Sequence, residues 1–168
     1  GSFARTIPGL DISGLIMTSD QALLMDYVPK SAIILGGGVI GVEFASVWKS
    51  FGVDVTIIEG LPTLVPAEDA AVSKAMERAY RKRGINFKTG VRFQSAVQDE
   101  KSVTITLESG ETVTADLLLV AVGRGPRTEN LGYEDQGVAM DRGFVLANDR
   151  LATNVPGVFA VGDIVPGL

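Results

Sequence analysis

The residues best suited to chemistry in this sequence are glycines. Gly36-Gly37-Gly38-Val39-Ile40-Gly41 fits the pattern G-x-G-x-x-G. In that pattern the first glycine permits a tight turn, the second lets backbone approach a pyrophosphate, and the third lets a helix lie close against a sheet. The chemistry would be phosphate recognition by free amides and the positive end of a helix, not by side-chain charge. A bare match is weak, but its surroundings strengthen it: the apolar run Ala32-Ile33-Ile34-Leu35 precedes it, and a helix over Val39 to Ser50, with Val42 in its first turn and Ala45 a turn beyond Gly41, follows. Glu59 ends the next apolar strand, 18 residues after Gly41, where such folds place the carboxylate that takes the adenosine ribose 2′-hydroxyl. A 2′-phosphate at that place would meet a repulsion of up to about 4 kcal/mol per charge at an effective dielectric near 20. No arginine stands in Gly60-Leu61-Pro62 to offset it, so the pattern favours NAD over NADP. Glu43, two residues after the last glycine, is by spacing alone an acid well placed near a helix N-terminus, worth a few tenths to about 1 kcal/mol.

Two absences bound everything else. The chain has no Cys and no His, which removes disulfides, thiolate nucleophiles, zinc-thiolate sites, Ser-His-Asp chemistry and the usual proton shuttle near neutral pH. No catalytic residue and no metal site are expected in this chain, and any chemistry done by it alone must come from carboxylates, Lys, Tyr, backbone amides or a bound cofactor. Lys and Arg number 15 against 20 Asp and Glu, a net charge of −5, the wrong sign for a nucleic-acid groove or an anionic membrane surface. The longest nearly uncharged stretch, Ser31 to Val42, is too short to span a bilayer, and the N-terminus lacks the basic and apolar regions of a signal peptide. A soluble, cytoplasmic protein is expected.

The elements that must position the glycines can be read around them. The stretch from Ser31 to Glu59 has the length of one strand-helix-strand crossover. A second helix starts after Glu68-Asp69 and ends at Arg81-Lys82-Arg83 with Gly84 beyond, matching macrodipole and capping preferences. A strand over Ile85 to Thr89 follows. Val103 to Leu107 alternates with period two, and Glu108-Ser109-Gly110-Glu111 turns into Thr112 to Ala115, an antiparallel meander. Leu117 to Val122 reads as a strand buried on both faces that ends in a tight turn at Gly123-Arg124-Gly125-Pro126, and Val158 to Val161 as a last short strand. Ahead of the first crossover, Thr18-Ser19-Asp20 would cap a short apolar helix over Ala22 to Met25.

Taken together, these segments resemble the pyridine nucleotide-disulfide oxidoreductases, the two-dinucleotide disulfide reductases, and within them the dihydrolipoamide dehydrogenases. The residues that carry the resemblance are Pro29-Lys30-Ser31, the fingerprint through Val42-Glu43, the strand ending in Glu59, the Glu68-Asp69 helix, Val122-Gly123-Arg124-Gly125-Pro126, and Thr153-Asn154-Val155-Pro156-Gly157-Val158-Phe159-Ala160-Val161-Gly162-Asp163. The resemblance implies an α/β fold: a Rossmann-like three-layer domain, a parallel sheet with helices on one face and the antiparallel meander on the other. It divides the chain into 1–29, a remnant of an FAD domain and linker; 30–148, an NAD-binding domain; and 149–168, a returning FAD-domain segment.

The resemblance also implies roles. Asp163 would bond the ribityl chain of FAD, and Gly1-Ser2 would close a segment beside FAD. Glu43 would sit by the nicotinamide and pair with a lysine of the redox-disulfide helix. Gly123 would approach the NAD, backbone near Phe93 the adenine, and Val39 takes the place where glutathione reductase carries an aromatic gate. A whole reductase has an FAD fingerprint, a Cys-x4-Cys pair and a His-Glu pair, none of which this sequence contains. It looks like the middle of such an enzyme, able to bind NAD(H) but inactive alone. In the parent the partners would be lipoyl domains of 2-oxoacid dehydrogenase complexes and a second subunit. The alternatives are a free-standing NAD-binding or regulatory module without redox activity, or the same domain of another flavin disulfide reductase or NADH oxidase.

Overall fold

A computed structural model describes residues 1–167. The last residue of the expected 149–168 segment therefore lies outside the described residues. The chain divides into two compact units, one of residues 6–123 and one that joins residues 1–5 to residues from 124 onward. Strand β1 (Ser2–Ala4) belongs to the second of these.

The unit 6–123 is built on a five-stranded parallel sheet of order β2-β9-β3-β4-β5. Its strands are β2 (Ile16–Thr18), β3 (Ser31–Leu35), β4 (Asp54–Ile58), β5 (Asn86–Lys88) and β9 (Leu117–Val120). β3 lies between β9 and β4, paired on both edges over its length, which is why it is written in unbroken apolar residues. Helices α1 (Ser19–Ala22), α2 (Val39–Ser50) and α3 (Ala70–Arg83) carry the chain between strands, and β6 (Phe93–Gln98), β7 (Val103–Leu107) and β8 (Thr112–Ala115) form the antiparallel meander. This is the expected three-layer α/β architecture. The compact unit starts well before residue 30, since β2 extends the sheet by pairing with β9.

Period-two alternation distributes each strand between two cores. Ala32 and Ile34 of β3 and Leu117 and Leu119 of β9 pack with Val42, Ala45, Trp48 and Tyr80 on the helical side. Ile33, Leu35, Leu118 and Val120 pack with Val103, Ile105 and Leu107 of the meander. Tyr80 also latches α3 to α2, its hydroxyl donating to the Val42 carbonyl at 2.6 Å. Burial pushes the Tyr80 phenol above its usual range, with Glu43 adding to the shift and Arg83 opposing it. At the start of the sheet Asp116 accepts the Lys30 and Ser31 amides at 2.8 and 3.2 Å, setting β9 in register with β3.

The two helices end as their sequences direct. α2 stops at Ser50, and α3 has Asp69 at its N-cap and a left-handed Gly84 at φ +71° beyond its last turn. The short first helix differs from expectation. It covers Ser19–Ala22 and stops before the apolar Leu23 and Leu24, which are exposed. Thr18 is its N-cap, and the Thr18 amide donates to Gln21 Oε1 at 2.8 Å, the return half of a capping box.

In the unit of residues 1–5 and 124–167, β10 (Arg124–Pro126) pairs antiparallel with β1, and β11 (Met140–Asp141) with β12 (Phe144–Val145). The tight turn expected at Gly123-Arg124-Gly125-Pro126 is thus corrected: residues 124–126 are extended, because the Ser2–Ala4 backbone supplies a ladder partner that the local sequence does not reveal. The expected strand over Val158 to Val161 is corrected too. It makes one isolated bridge, Phe159 to Ala152. Val138, Val145 and Ala160 form the small core of this unit. No helix among the described residues is long and apolar enough to cross a membrane.

Candidate functional site

The glycine turn joins β3 to α2 at the carboxyl end of the parallel sheet, where open α/β sheets hold their ligands. Gly36 has φ +112°, and a Cβ there would run into the Ala121 carbonyl. A Cβ on Gly41 would run into the Gly36 carbonyl and stand 3.3 Å from Ile34 Cγ2, so the third glycine is what lets α2 lie on the sheet. Gly38 is different. It is the N-cap of α2, offers no side chain there, has an ordinary φ of −72°, and faces space in which a Cβ would meet nothing within 4 Å. Beside that space the first-turn amides of Val39, Ile40 and Gly41 lack intrahelical acceptors, as at any helix start. Turn, free amides and open volume fit a pyrophosphate.

Glu59 directly follows β4 and is only 9% exposed. Its Oε2 accepts the Gly37 amide at 2.6 Å and its Oε1 the Leu61 amide at 2.7 Å. Each oxygen therefore holds one backbone hydrogen and keeps one lone pair for a further donor, such as a ribose hydroxyl. A cleft of about 340 Å³ opens beside it, and Gly36, Glu59, Phe93 and Val122 all line it. Gly123 follows with φ +122° and is exposed.

Sequence reasoning missed Arg92 and Glu108, which line the same cleft. The Arg92 carbonyl accepts the Glu108 amide at 2.9 Å, which ties the start of the meander to its hairpin. Gly60-Leu61-Pro62, the neighbours of Glu59 in sequence, hold no arginine, whereas Arg92 reaches the cleft from the turn after β5. The signal available was its place just past the end of a parallel strand, on the ligand side of such sheets.

The remaining candidates fall elsewhere. Val42 and exposed Glu43 line a second groove, of about 550 Å³, with Leu23, Phe44, Met76 and Tyr80. Val39 is exposed and Ile40 half-buried on α2. Asp163 belongs to the other compact unit. There it accepts the Ser2 hydroxyl at 2.7 Å, and the Ser2 oxygen accepts Arg124 Nε at 2.6 Å. Ser2 is thus bonded into its unit. A carboxylate and a hydroxyl suit sugar or ribityl hydroxyls but form only one edge of a flavin site. No group of three or more metal-ligating side chains occurs among the described residues.

A profile of the family described as Pyridine nucleotide-disulphide oxidoreductase matches residues 1–168. The chain is 40% identical to a dihydrolipoyl dehydrogenase of Bacillus subtilis over all of this chain and 37% of that protein. It is 39% identical to a dihydrolipoamide dehydrogenase of Chaetomium thermophilum over 99% of this chain and 35% of that one. Among solved structures, the HOCl-induced flavoprotein disulfide reductase RclA of Escherichia coli superposes with a TM-score of 0.89 at 32% identity, over all of this chain and 39% of that one. The LpdA structure from Mycobacterium tuberculosis gives a TM-score of 0.87 at 29% identity, covering 37% of its chain. The chain thus spans little more than a third of the length of these relatives.

Proposed function

We propose, on the premise that the chain belongs to the pyridine nucleotide-disulphide oxidoreductase family, that residues 6–123 bind NAD(H) within an FAD-dependent dihydrolipoamide dehydrogenase. The observation that carries this reading is the contrast among the glycines: a side chain at Gly36 or Gly41 meets backbone, whereas one at Gly38 meets only the space a pyrophosphate would fill. The amides at the start of α2 would take the pyrophosphate, Glu59 the adenosine ribose, and the backbone near Phe93 the adenine; Gly123 would lie along the dinucleotide. Glu43 and Val39 would stand toward the nicotinamide end. Ser2 and Asp163 would belong to the FAD domain of the parent and meet the flavin's ribityl hydroxyls.

When bound, nicotinamide and flavin would carry the two-electron step, dihydrolipoamide and NAD+ giving lipoamide, NADH and a proton. This chain's residues bind and orient the dinucleotide. They contain no thiol to receive electrons from a dithiol and no imidazole to take its proton, so the 168-residue chain alone should not turn over dihydrolipoamide. The parent would work in the cytoplasm, with a second subunit and lipoyl domains as partners.

NADH and NADPH titrations followed by fluorescence test the assignment. Glu59 should favour NADH, and Arg92 at the same cleft should temper the preference to roughly tenfold. Equal affinity for both cofactors would overturn the role given to Glu59, and no binding of either would overturn the reading. The fold likeness to RclA supports a second reading, the same domain in another flavin disulfide reductase. Lipoamide turnover by the parent decides between the two.

A further inference from the structure

We propose that Glu59 is a positioning residue whose carboxylate, with the segment that follows it to Val65, builds the glycine turn, so that its effect on affinity reaches the pyrophosphate as well as the ribose. This rests on the reading of the turn as a dinucleotide site. Two successive peptide planes are locked by one short segment. The Gly37 amide donates to Glu59 Oε2 at 2.6 Å, and the Gly37 carbonyl accepts the Val65 amide at 2.8 Å.

A trans peptide points its carbonyl and its amide to opposite sides. Holding the Gly37 amide toward Glu59 therefore turns the Gly36 carbonyl the other way, toward Gly41, where a Cβ would strike it. Holding the Gly37 carbonyl toward Val65 turns the Gly38 amide away from Val65. The Gly37 amide is thereby committed to the protein, and the amides left for a phosphate begin at Gly38.

The segment is itself held firmly. Glu59 Oε1 accepts the Leu61 amide at 2.7 Å, and the buried Leu64 side chain stands 2.7 Å from where a Cβ on Gly37 would be. Val65 is 3% exposed with φ +44°, a left-handed backbone that a β-branched residue adopts only under constraint. Its carbonyl accepts the Glu68 amide at 3.0 Å and the Ser73 hydroxyl at 3.2 Å.

The test pairs Glu59→Gln with two ligands, NADH and its analogue lacking the adenosine 2′-hydroxyl, on the 168-residue chain. The amide variant keeps one acceptor oxygen and turns an NH2 toward a backbone N–H, so it loses one of the two bonds. Affinity for the 2′-deoxy analogue should fall on the order of tenfold and affinity for NADH by at least that factor, and hydrogen exchange of the Gly37 and Leu61 amides should accelerate while Ile33 and Ile34 stay protected. Glu59→Asp, which keeps the charge but withdraws the carboxylate by a methylene, should do the same and serves if the amide variant does not fold. A variant that weakens NADH but leaves the 2′-deoxy analogue unchanged would reduce Glu59 to a ribose ligand and overturn the proposal. Should the unmodified chain bind no NADH, the dinucleotide reading fails separately. Exchange at Gly37 and Leu61 then still decides: acceleration supports the brace and unchanged protection overturns it.

Discussion

Ala32-Ile33-Ile34-Leu35 and Val158-Phe159-Ala160-Val161 are runs of similar length and hydropathy in one chain, yet they fare differently. The first is a strand with ladder partners on both edges and a packed layer on each face, and Ile34 is 0% exposed. The second makes one isolated bridge, and Phe159 and Val161 are 66% and 70% exposed. An apolar run is a demand for partners. The unit 6–123 answers it with a five-stranded sheet covered on both faces, while the unit of residues 1–5 and 124–167 offers ladders of two or three residues, which are marginal by themselves.

The most severe way to break this contrast is truncation. Ile34→Ala should destabilise the unit 6–123 by about 2–5 kcal/mol through lost transfer energy and an unfilled cavity. Phe159→Ala should change stability by no more than about 0.5 kcal/mol, as expected of an exposed side chain. Urea melts of both variants check the difference, and equal effects would mean that Phe159 is covered in solution.

A finer cut lies within the glycine turn. Gly41→Val forces a branched side chain toward the Gly36 carbonyl and Ile34 and should cost about 1–3 kcal/mol of stability. Gly38→Val enters open space and should cost no more than about 1 kcal/mol, because Val is a poorer N-cap than Gly, while abolishing NADH binding. Normal binding by Gly38→Val would remove the pyrophosphate from this turn.

The smallest effect belongs to the surface of the same unit. Asp99 accepts the Lys101 and Ser102 amides at 2.8 Å in the β6–β7 turn, and these bonds hold its carboxyl below its ordinary value of 3.8. A carboxylate depressed in the fold contributes stability above its unfolded pKa and loses it as pH falls through the folded one. Protection of the Lys101 and Ser102 amides against hydrogen exchange, taken relative to the intrinsic rate at each pH, should therefore fall below about pH 4, and Asp99→Asn should abolish that loss of protection without moving the global melt.

Much of the unit 6–123 was legible because its signals are local. Leu35 followed by glycines, the acid pair before α3 and Gly84 after it, and the alternation of Val103 to Leu107 each name an element within a few residues. Strand β2 and the Arg124–Pro126 ladder were not legible, since Ile16–Thr18 pairs with residues about a hundred positions away and Arg124–Pro126 with the chain's first residues. The candidate site followed the same division. The glycines and Glu59 could be placed from spacing, but spacing could not say that Glu59 faces two backbone amides, or that Arg92 shares its cleft.

The left-handed Val65 bears on what can be moved between proteins. A designer who grafts Gly36 to Gly41 onto another strand-helix junction transfers the letters of the proposed phosphate site without the scaffold that aims its amides. The Gly37 peptide takes its orientation from Glu59 and Val65, and Val65 keeps its strained backbone because Leu64 and Ser73 are buried around it. The smallest portable module therefore runs from β3 to the first turn of α3, and a transplant that stops at the second strand would carry the fingerprint but lose its aim.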